Sequence, residues 1–169
     1  MSRPSLGVTP EQTVGPYFSL GLAERPFCAL PTGHAVWLHG CVRDAVGMPV
    51  SDALLEVWSP SRGPDSGTGR FLRIAVAADG SFGFPCWDAT PDARALLVRV
   101  MARGVLETLI TLVWREDLAP PPGSPHWLGI PASRRDTCLA RRRGTAYEWN
   151  IRLSGGVPAD ETVFLDPVD

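Results

Sequence analysis

The chain has no lysine, few side chains that bind metals, and no long apolar run. All sixteen basic residues are arginine, and eighteen acidic residues leave a formal net charge of −2. The basic excess that would favour binding to nucleic acid is therefore missing. The longest apolar stretch is interrupted by Arg99 and Arg103, so no segment is predicted to cross a membrane.

Cysteines are few and widely spaced. The four of them, Cys28, Cys41, Cys86 and Cys138, form no C-x-x-C pair. No charged segment followed by an apolar one is present at the N-terminus, so a secretory signal is not indicated. This pattern predicts a cytoplasmic protein whose thiols stay reduced.

Metal ligands and catalytic motifs are also scarce. His34 and His39 are five residues apart, so in a strand they would point to opposite faces, and His126 stands alone in a proline-rich segment. We interpret all three as surface or structural histidines. Tyr147 fits the apolar stripe of its strand and is interpreted as a core residue. Without a G-x-S-x-G elbow, P-loop or G-x-G-x-x-G, the residues alone predict no catalytic apparatus.

Glycine and proline, 17 of each, separate short β-branched and aromatic runs along the 169 residues. This pattern predicts one all-β domain, a two-sheet antiparallel β-sandwich with long loops and about eight strands. The clearest strands are "VWLHGCV", "ALLEVW", the alternating run from Leu96 to Arg103, and the run from Leu106 to Trp114. A further alternating strand covers Tyr147 to Leu153, and "ETVFL" is predicted to close the domain.

Two segments carry more specific predictions. Asp79-Gly80 supplies the positive φ angles of a tight turn, so Phe71 to Ala77 and Ser81 to Phe84 are predicted to form a hairpin. The stretch "PASRRDTCLARRR" fits either a short helix begun by Pro131 or a hairpin strand paired with "TAYEWNIRL". The proline-rich stretch from Leu118 to Pro131 is predicted to be an ordered surface loop.

The N-terminal stretch "TPEQTVGPYFSLGL", residues 9–22, resembles the N-terminal signature of the intradiol ring-cleavage dioxygenases. "LHGCVRDAVGMPVSDALLEVW", "GRFLRIAVAADGSFGF" and the ending "RRDTCLARRRGTAYEWNIRLSGGVPADETVFLD" resemble later segments of alpha-type chains in that family. The resemblance covers most of the chain. It implies an N-terminal arm, residues 1–30, followed by an intradiol dioxygenase-like β-sandwich, residues 31–169.

The resemblance also implies a function shared between two chains. A homologous beta subunit would bind non-haem Fe(III) through two tyrosines and two histidines, and this chain would be an alpha-type subunit that is not catalytic alone. The hetero-oligomer would use O2 to cleave protocatechuate to 3-carboxy-cis,cis-muconate. Aligning the family's His-x-His strand with the strand that ends in "ARG" puts Ala95 and Leu97 at the two histidine positions. Neither side chain can bind a metal, which is what an alpha-type chain predicts.

Five substrate-binding residues follow from the resemblance. Thr13, Gly15, Pro16 and Tyr17 would lie at the mouth of the partner's iron pocket, on an arm that Pro16 makes stiff. Arg103 would face the same pocket and bind the ring carboxylate, because its planar guanidinium can grip both oxygens. Two alternatives remain open: Tyr17 as a packing residue of the subunit interface, and Arg103 as an exposed arginine at a strand end.

A different class of function also fits part of the chain. The stretch "HGCVRDAVGMPVSDALLEVW" is compatible with a transthyretin-like or carbohydrate-binding β-sandwich without enzymatic role. Its G-x-V-x-D-x-x-G-x-P turn between two strands is common in β-sandwiches of many kinds. The loops Ser59 to Arg70 and Pro85 to Arg94 are shorter than is usual in the resembled family, which leaves their contribution to a pocket in doubt. Six tryptophans are predicted to serve both core and interface.

Overall fold

The computed structural model describes residues 15, 17–18, 20–22, 36–62, 69–86, 95–106, 108–118, 120, 123–153 and 160–165. Within them lie nine strands: β1 (Val36–Arg43), β2 (Leu54–Arg62), β3 (Gly69–Ala75), β4 (Ser81–Cys86), β5 (Ala95–Met101), β6 (Leu109–Arg115), β7 (Leu139–Arg143), β8 (Ala146–Glu148) and β9 (Ile151–Arg152). A short helix, α1 (Pro125–Gly129), and a 3-10 segment (Ala132–Cys138) connect β6 to β7. The predicted all-β class is confirmed.

The strands form one continuous sheet that folds into two halves. Neighbours follow the order β3-β2-β5-β6-β7-β8-β1-β4, and β9 also pairs with β1. Strand β7 joins the halves, because it pairs with β6 on one side and β8 on the other. A single core contains Leu55 and Val98 from the first half and Leu38, Val42 and Phe84 from the second. The predicted two-sheet sandwich is therefore confirmed.

Strand direction departs from the wholly antiparallel prediction. Most pairs are antiparallel, including β1 with β4 and β2 with both β3 and β5. However, β6 pairs with β7, and β1 with both β8 and β9, in parallel. A parallel pair requires a crossover connection, because a tight turn reverses the chain. Residues 116–138, with α1 and the 3-10 segment, provide that connection between β6 and β7.

The predicted hairpin between Phe71 to Ala77 and Ser81 to Phe84 is wrong, although its turn forms. The Ala77 N–H donates to the Ser81 carbonyl at 2.8 Å, and Gly80 has a φ of 82°. Beyond the turn, β3 pairs with β2 and β4 pairs with β1, so the chain changes sheets here. Leu72 and Phe84 thereby enter the same core from opposite sheets, which a hairpin within one sheet would not allow.

The segment from Pro131 onward contains both of the structures that its sequence allows. A 3-10 helix covers Ala132–Cys138, and β7 then forms a hairpin with β8 through Gly144, whose φ is 62°. The predicted strand from Tyr147 to Leu153 is divided into β8 and β9, because residues 149 and 150 leave the ladder.

Other element boundaries also differ from prediction. Strand β6 begins at Leu109 rather than at Leu106, which is exposed. The predicted final strand "ETVFL" is reduced to one bridge, between Leu165 and Ile110. The proline-rich loop contains α1, which Ser124 caps by accepting a bond from the Trp127 N–H. None of the helical segments in the described part of the chain has the length and apolar content of a membrane span.

Gly40 marks a close approach between β1 and the residue that follows β8. A Cβ atom at Gly40 would lie 1.7 Å from the carbonyl oxygen of Trp149 and 2.8 Å from Cζ of Phe82. Trp149 is buried, and its indole N–H donates to the Thr137 carbonyl at 2.8 Å. Only glycine therefore fits at position 40 without moving the tryptophan backbone.

Replacing Gly40 with alanine should lower the free energy of unfolding by about 3 kcal/mol, the upper part of the range for overpacked cores, because the clash is with backbone. The midpoint of urea unfolding measures this change. Gly129→Ala is the matched control, since a Cβ atom there meets nothing within 4 Å. Equal midpoints for the two variants would contradict the close approach.

Candidate functional site

Arg103 lies just beyond the end of β5 and faces Asp52, just before β2. The Arg103 Nε atom is 3.3 Å from Asp52 Oδ2. The β2–β5 register accounts for this pair: Leu54 stands opposite Met101, so two residues further out Asp52 stands opposite Arg103. Residues that face each other across an antiparallel pair interact directly. We name this part of the molecule, Asp52 with Arg103, the Arg103 end.

The backbone beneath the Arg103 end is anchored. Ala53 and Ala102, the neighbours of the two charged residues, are 2% and 1% exposed and belong to the core. The Val76 N–H donates to the Ala53 carbonyl at 3.0 Å. After Arg103 the chain turns at Gly104, whose φ is 85°. The exposed side chain of Arg103 therefore extends from a backbone that burial and hydrogen bonding hold in place.

The same register produces a second acid–base contact, between Glu56 and Arg99. Glu56 Oε1 accepts from Arg73 Nε and Nη2 at 2.9 and 2.6 Å, and Oε2 accepts from Arg99 Nη1 at 3.4 Å. Arg99 also lies over Trp58, and Arg73 over Phe71. The Glu56 side chain is only 7% exposed. Two cations thus compensate one buried carboxylate, which makes this cluster a structural one.

Arg103 differs from the arginines of that cluster in its exposure. Its side chain is 67% exposed, and Asp52 is the one acidic partner it has among the described residues. Nε is the guanidinium nitrogen nearest Asp52, and an arginine carries five N–H donors, more than one ion pair uses. Arg103 is accordingly available to bind an anion from outside the chain.

The N-terminal arm is described only in part. Thr13 and Pro16 lie outside the described residues. The Gly15 carbonyl accepts a bond from Phe18 at 3.3 Å, and the Tyr17 carbonyl accepts one from Leu20 at 3.1 Å, so the described part turns. The Tyr17 side chain is 74% exposed. No contact among the described residues joins it to Arg103, so its role at the pocket stays a prediction.

A ferric ion needs several hard oxygen or imidazole donors around one point. Among the described residues, no three histidine, cysteine, aspartate or glutamate side chains converge in this way. Ala95 and Leu97, predicted from the sequence to stand at the family's two histidine positions, lie on β5 opposite Trp114 and Leu112. The described residues therefore do not fit a ferric centre.

Tyr147 is a core residue, as predicted. It is 4% exposed, and its hydroxyl donates to Asp117 Oδ2 at 2.6 Å while Arg115 lies 5.1 Å above the ring. Burial and the hydrogen bond to Asp117 raise the pKa of Tyr147 to about 12. A tyrosine that binds iron must lose its proton, whereas this environment favours the neutral phenol. Tyr147 therefore links β8 to the segment that follows β6 through its hydrogen bond to Asp117.

The structure agrees with a surface role for two histidines. His39 is exposed, stacks on Trp37 with ring centroids 6.0 Å apart, and lies over Gly83. His126 is exposed on α1. These interpretations are confirmed, while His34 lies outside the described residues.

An open groove of about 650 Å³ runs between β3 and β4. Its polar residues include Glu148 and Asn150, but both are already used within the chain. Glu148 binds Arg143 and Asn150, and Asn150 accepts a bond from the Cys41 N–H. The Arg103 end is the stronger candidate, because its guanidinium retains donors for a ligand.

Known proteins match this chain along nearly its whole length. A protein from Burkholderia cepacia described as protocatechuate 3,4-dioxygenase alpha chain is 34% identical over 197 aligned positions, which cover 96% of this chain and 98% of that protein. The chain belongs to the protocatechuate 3,4-dioxygenase alpha-chain family. A second alpha chain, from Pseudomonas putida, is 28% identical and covers 94% of this chain and 96% of its own length. No family model matches the sequence.

Solved structures support the fold of this alpha-chain family member. The dioxygenase domain of a dioxygenase carbohydrate-binding protein fusion from Streptomyces sp. SirexAA-E has a TM-score of 0.56 at 23% identity, covering 88% of this chain and 99% of that one. Hydroxyquinol 1,2-dioxygenase from Pseudomonas putida DLL-E4 has a TM-score of 0.52 at 21% identity, covering 89% and 67%. Intradiol ring-cleavage dioxygenases are oxidoreductases, and the predicted enzyme class is confirmed.

The comparison also bears on loop length. The alignment with the Burkholderia cepacia alpha chain spans 197 positions, more than the 169 residues of this chain. That alpha chain therefore contains stretches that this one lacks.

Asp52 is the site residue that sequence reasoning missed. Its signal is present in the sequence, where Asp52 and Glu56 are four apart at and before one strand, and Arg99 and Arg103 are four apart at and beyond another. Complementary spacing on two strands predicts ion pairs only when the strands are known to be antiparallel neighbours in this register. The ion pair between Asp52 and Arg103 could therefore be predicted only once the pairing of β2 with β5 was known.

The Tyr147 phenol should ionise near pH 12 rather than near its ordinary value of 10. The difference in near-ultraviolet tyrosinate absorbance between the wild type and Tyr147→Phe measures this ionisation. Because the folded chain holds this proton longer than the unfolded chain, the free energy of unfolding should fall as the pH rises from about 10 to about 12. Tyr147→Phe should lose that part of the decline. Tyrosinate absorbance from Tyr147 that appears already at pH 10 would contradict the assignment.

Proposed function

We propose that this chain is the alpha subunit of a protocatechuate 3,4-dioxygenase and forms a hetero-oligomer with a homologous beta subunit. The complex would use O2 to open the aromatic ring of protocatechuate, giving 3-carboxy-cis,cis-muconate. The observation that carries the proposal is the 34% identity to an alpha chain over 96% of this chain. It extends through both the arm and the sandwich, so it favours an alpha subunit over a generic binding module.

We propose that the Fe(III) belongs to the beta subunit and not to this chain. Two observations support this assignment. Ala95 and Leu97, the residues that the resemblance aligns with the family's His-x-His pair, cannot bind a metal, and the Tyr147 hydroxyl donates to Asp117. The alpha chain would therefore supply part of the pocket wall without binding the metal.

The task of this chain at the pocket would be to orient the substrate. Arg103 would bind the ring carboxylate through paired N–H donors, which distinguishes protocatechuate from catechol. Gly15 and Tyr17, together with Thr13 and Pro16, would form another part of the wall. Holding the ring in one orientation relative to the partner's centre contributes to rate by reducing the orientations that must be searched.

The same proposal assigns a role to each of the two predicted parts of the chain. Residues 1–30 would act as the arm that reaches the partner, and residues 31–169 as the sandwich that supports Arg103. Reduced cysteines agree with a cytoplasmic location: Cys41, Cys86 and Cys138 are free thiols in the structure, and burial raises the pKa of Cys86 to about 12.

Coexpression with a beta-type chain from the same source should yield a stable complex that contains iron and cleaves protocatechuate. Size-exclusion chromatography, iron analysis and O2 uptake measure the three properties. The chain purified alone should hold no stoichiometric iron, which serves as the control. A beta-type chain that is fully active without ever binding this one, or ferric ion bound stoichiometrically to this chain alone, would overturn the proposal.

Within that complex, Arg103→Met should lower kcat/KM for protocatechuate by about 10- to 100-fold, the range expected when a hydrogen bond to a charged group is lost. Arg103→Lys should recover only part of the loss, because an ammonium group cannot match the planar pair of donors. Arg143→Met is the matched control, since the Arg143 side chain is 69% exposed and also forms one ion pair. An unchanged kcat/KM in Arg103→Met would remove Arg103 from the substrate site.

A further inference from the structure

We propose that Asp52 is the positioning residue of the substrate site, and that it acts by holding the guanidinium of Arg103 in the orientation that receives the ring carboxylate. This inference rests on the proposed function, because it concerns how the alpha subunit recognises a carboxylated aromatic substrate. The observation behind it is the 3.3 Å contact between Arg103 Nε and Asp52 Oδ2.

The guanidinium approaches Asp52 most closely through Nε, at 3.3 Å. Arginine carries five N–H donors in a rigid plane, and two Nη groups form the end of that plane. Because Nε is the nitrogen nearest Asp52, we infer that the Nη1–Nη2 edge remains for an incoming carboxylate. A carboxylate bound at this edge would receive two parallel hydrogen bonds, which is the strongest arrangement for such a pair.

Asp52 is the less exposed member of the pair, and its backbone is held in place. Its side chain is 33% exposed, against 67% for Arg103. The carbonyl of its neighbour Ala53, itself buried, accepts the Val76 N–H at 3.0 Å. A long arginine side chain loses rotamer freedom when it binds a ligand. An aspartate on a fixed backbone removes part of that freedom before the substrate arrives, which favours binding.

The neighbouring pair shows why Asp52, and not Glu56, fits this role. Glu56 is buried and divided between Arg73 and Arg99, whose side chains are less exposed than that of Arg103. Asp52 meets one arginine, and that arginine is exposed. Asp52 precedes β2 and continues the register that pairs Glu56 with Arg99, and of the three arginines its partner is the most exposed.

The test uses the coexpressed complex with Asp52→Asn, which keeps the shape of the side chain and removes its charge. The KM for protocatechuate should rise about two- to fivefold, the scale on which exposed ion pairs act, with kcat nearly unchanged. Catechol, which lacks the carboxylate, should show no change. Asp52→Glu should restore part of the affinity. Asp136→Asn, which removes the acid of another exposed ion pair with an arginine, is the matched control and should leave both substrates unaffected.

A double-mutant cycle separates positioning from simple stability. In an Arg103→Met background, Asp52→Asn should have no further effect, because a residue that acts through Arg103 needs that side chain. Equal losses for protocatechuate and catechol, an undiminished loss in the Arg103→Met background, or a KM that falls would overturn the role of Asp52. The same holds if Asp52→Asn is silent while Arg103→Met is costly, and the proposed function then stands. A wild-type complex without dioxygenase activity would overturn both proposals.

Discussion

The antiparallel register of β2 against β5, in which Leu54 stands opposite Met101, is the constraint on which the Arg103 end depends. It brings Glu56 opposite Arg99, and Asp52 opposite Arg103. A slip by one residue would move these side chains to the opposite face of the sheet, because side chains alternate with a period of two. Charged groups would then enter the core. Apolar burial therefore sets the geometry of the acid–base pairs.

Along this ladder, burial separates structural charges from exposed ones. The carboxylate of Glu56 is enclosed by Arg73 and Arg99, and removing one partner of such a cluster would leave a buried charge uncompensated. At the end of the strands the same kind of pair is exposed to water, and Arg103 keeps N–H donors for other contacts. The same kind of acid–arginine pair thus stabilises the middle of β2 and β5, at Glu56, and leaves the cation of Arg103 exposed at the end of these strands.

In the half of the sandwich that contains β1 and β8, the polar groups of two aromatic side chains form hydrogen bonds that stabilise the fold. The Tyr147 hydroxyl binds Asp117, and the Trp149 indole binds the Thr137 carbonyl. Both contacts lie where β8 runs parallel to β1, beside the close approach at Gly40. Tyr147 can serve this structural role because its phenol stays protonated.

The sequence by itself determined the all-β class, the core position of Tyr147 and the turn at Gly80, since alternation and turn residues are local signals. The resemblance carried by the N-terminal stretch indicated the family. Only the tertiary structure decided that β3 and β4 enter different sheets, that β7 runs parallel to β6 and β8 parallel to β1, and that Asp52 meets Arg103. Each of these depends on which strands become neighbours. That choice is made by the packing of distant apolar residues into one core, which no local pattern records.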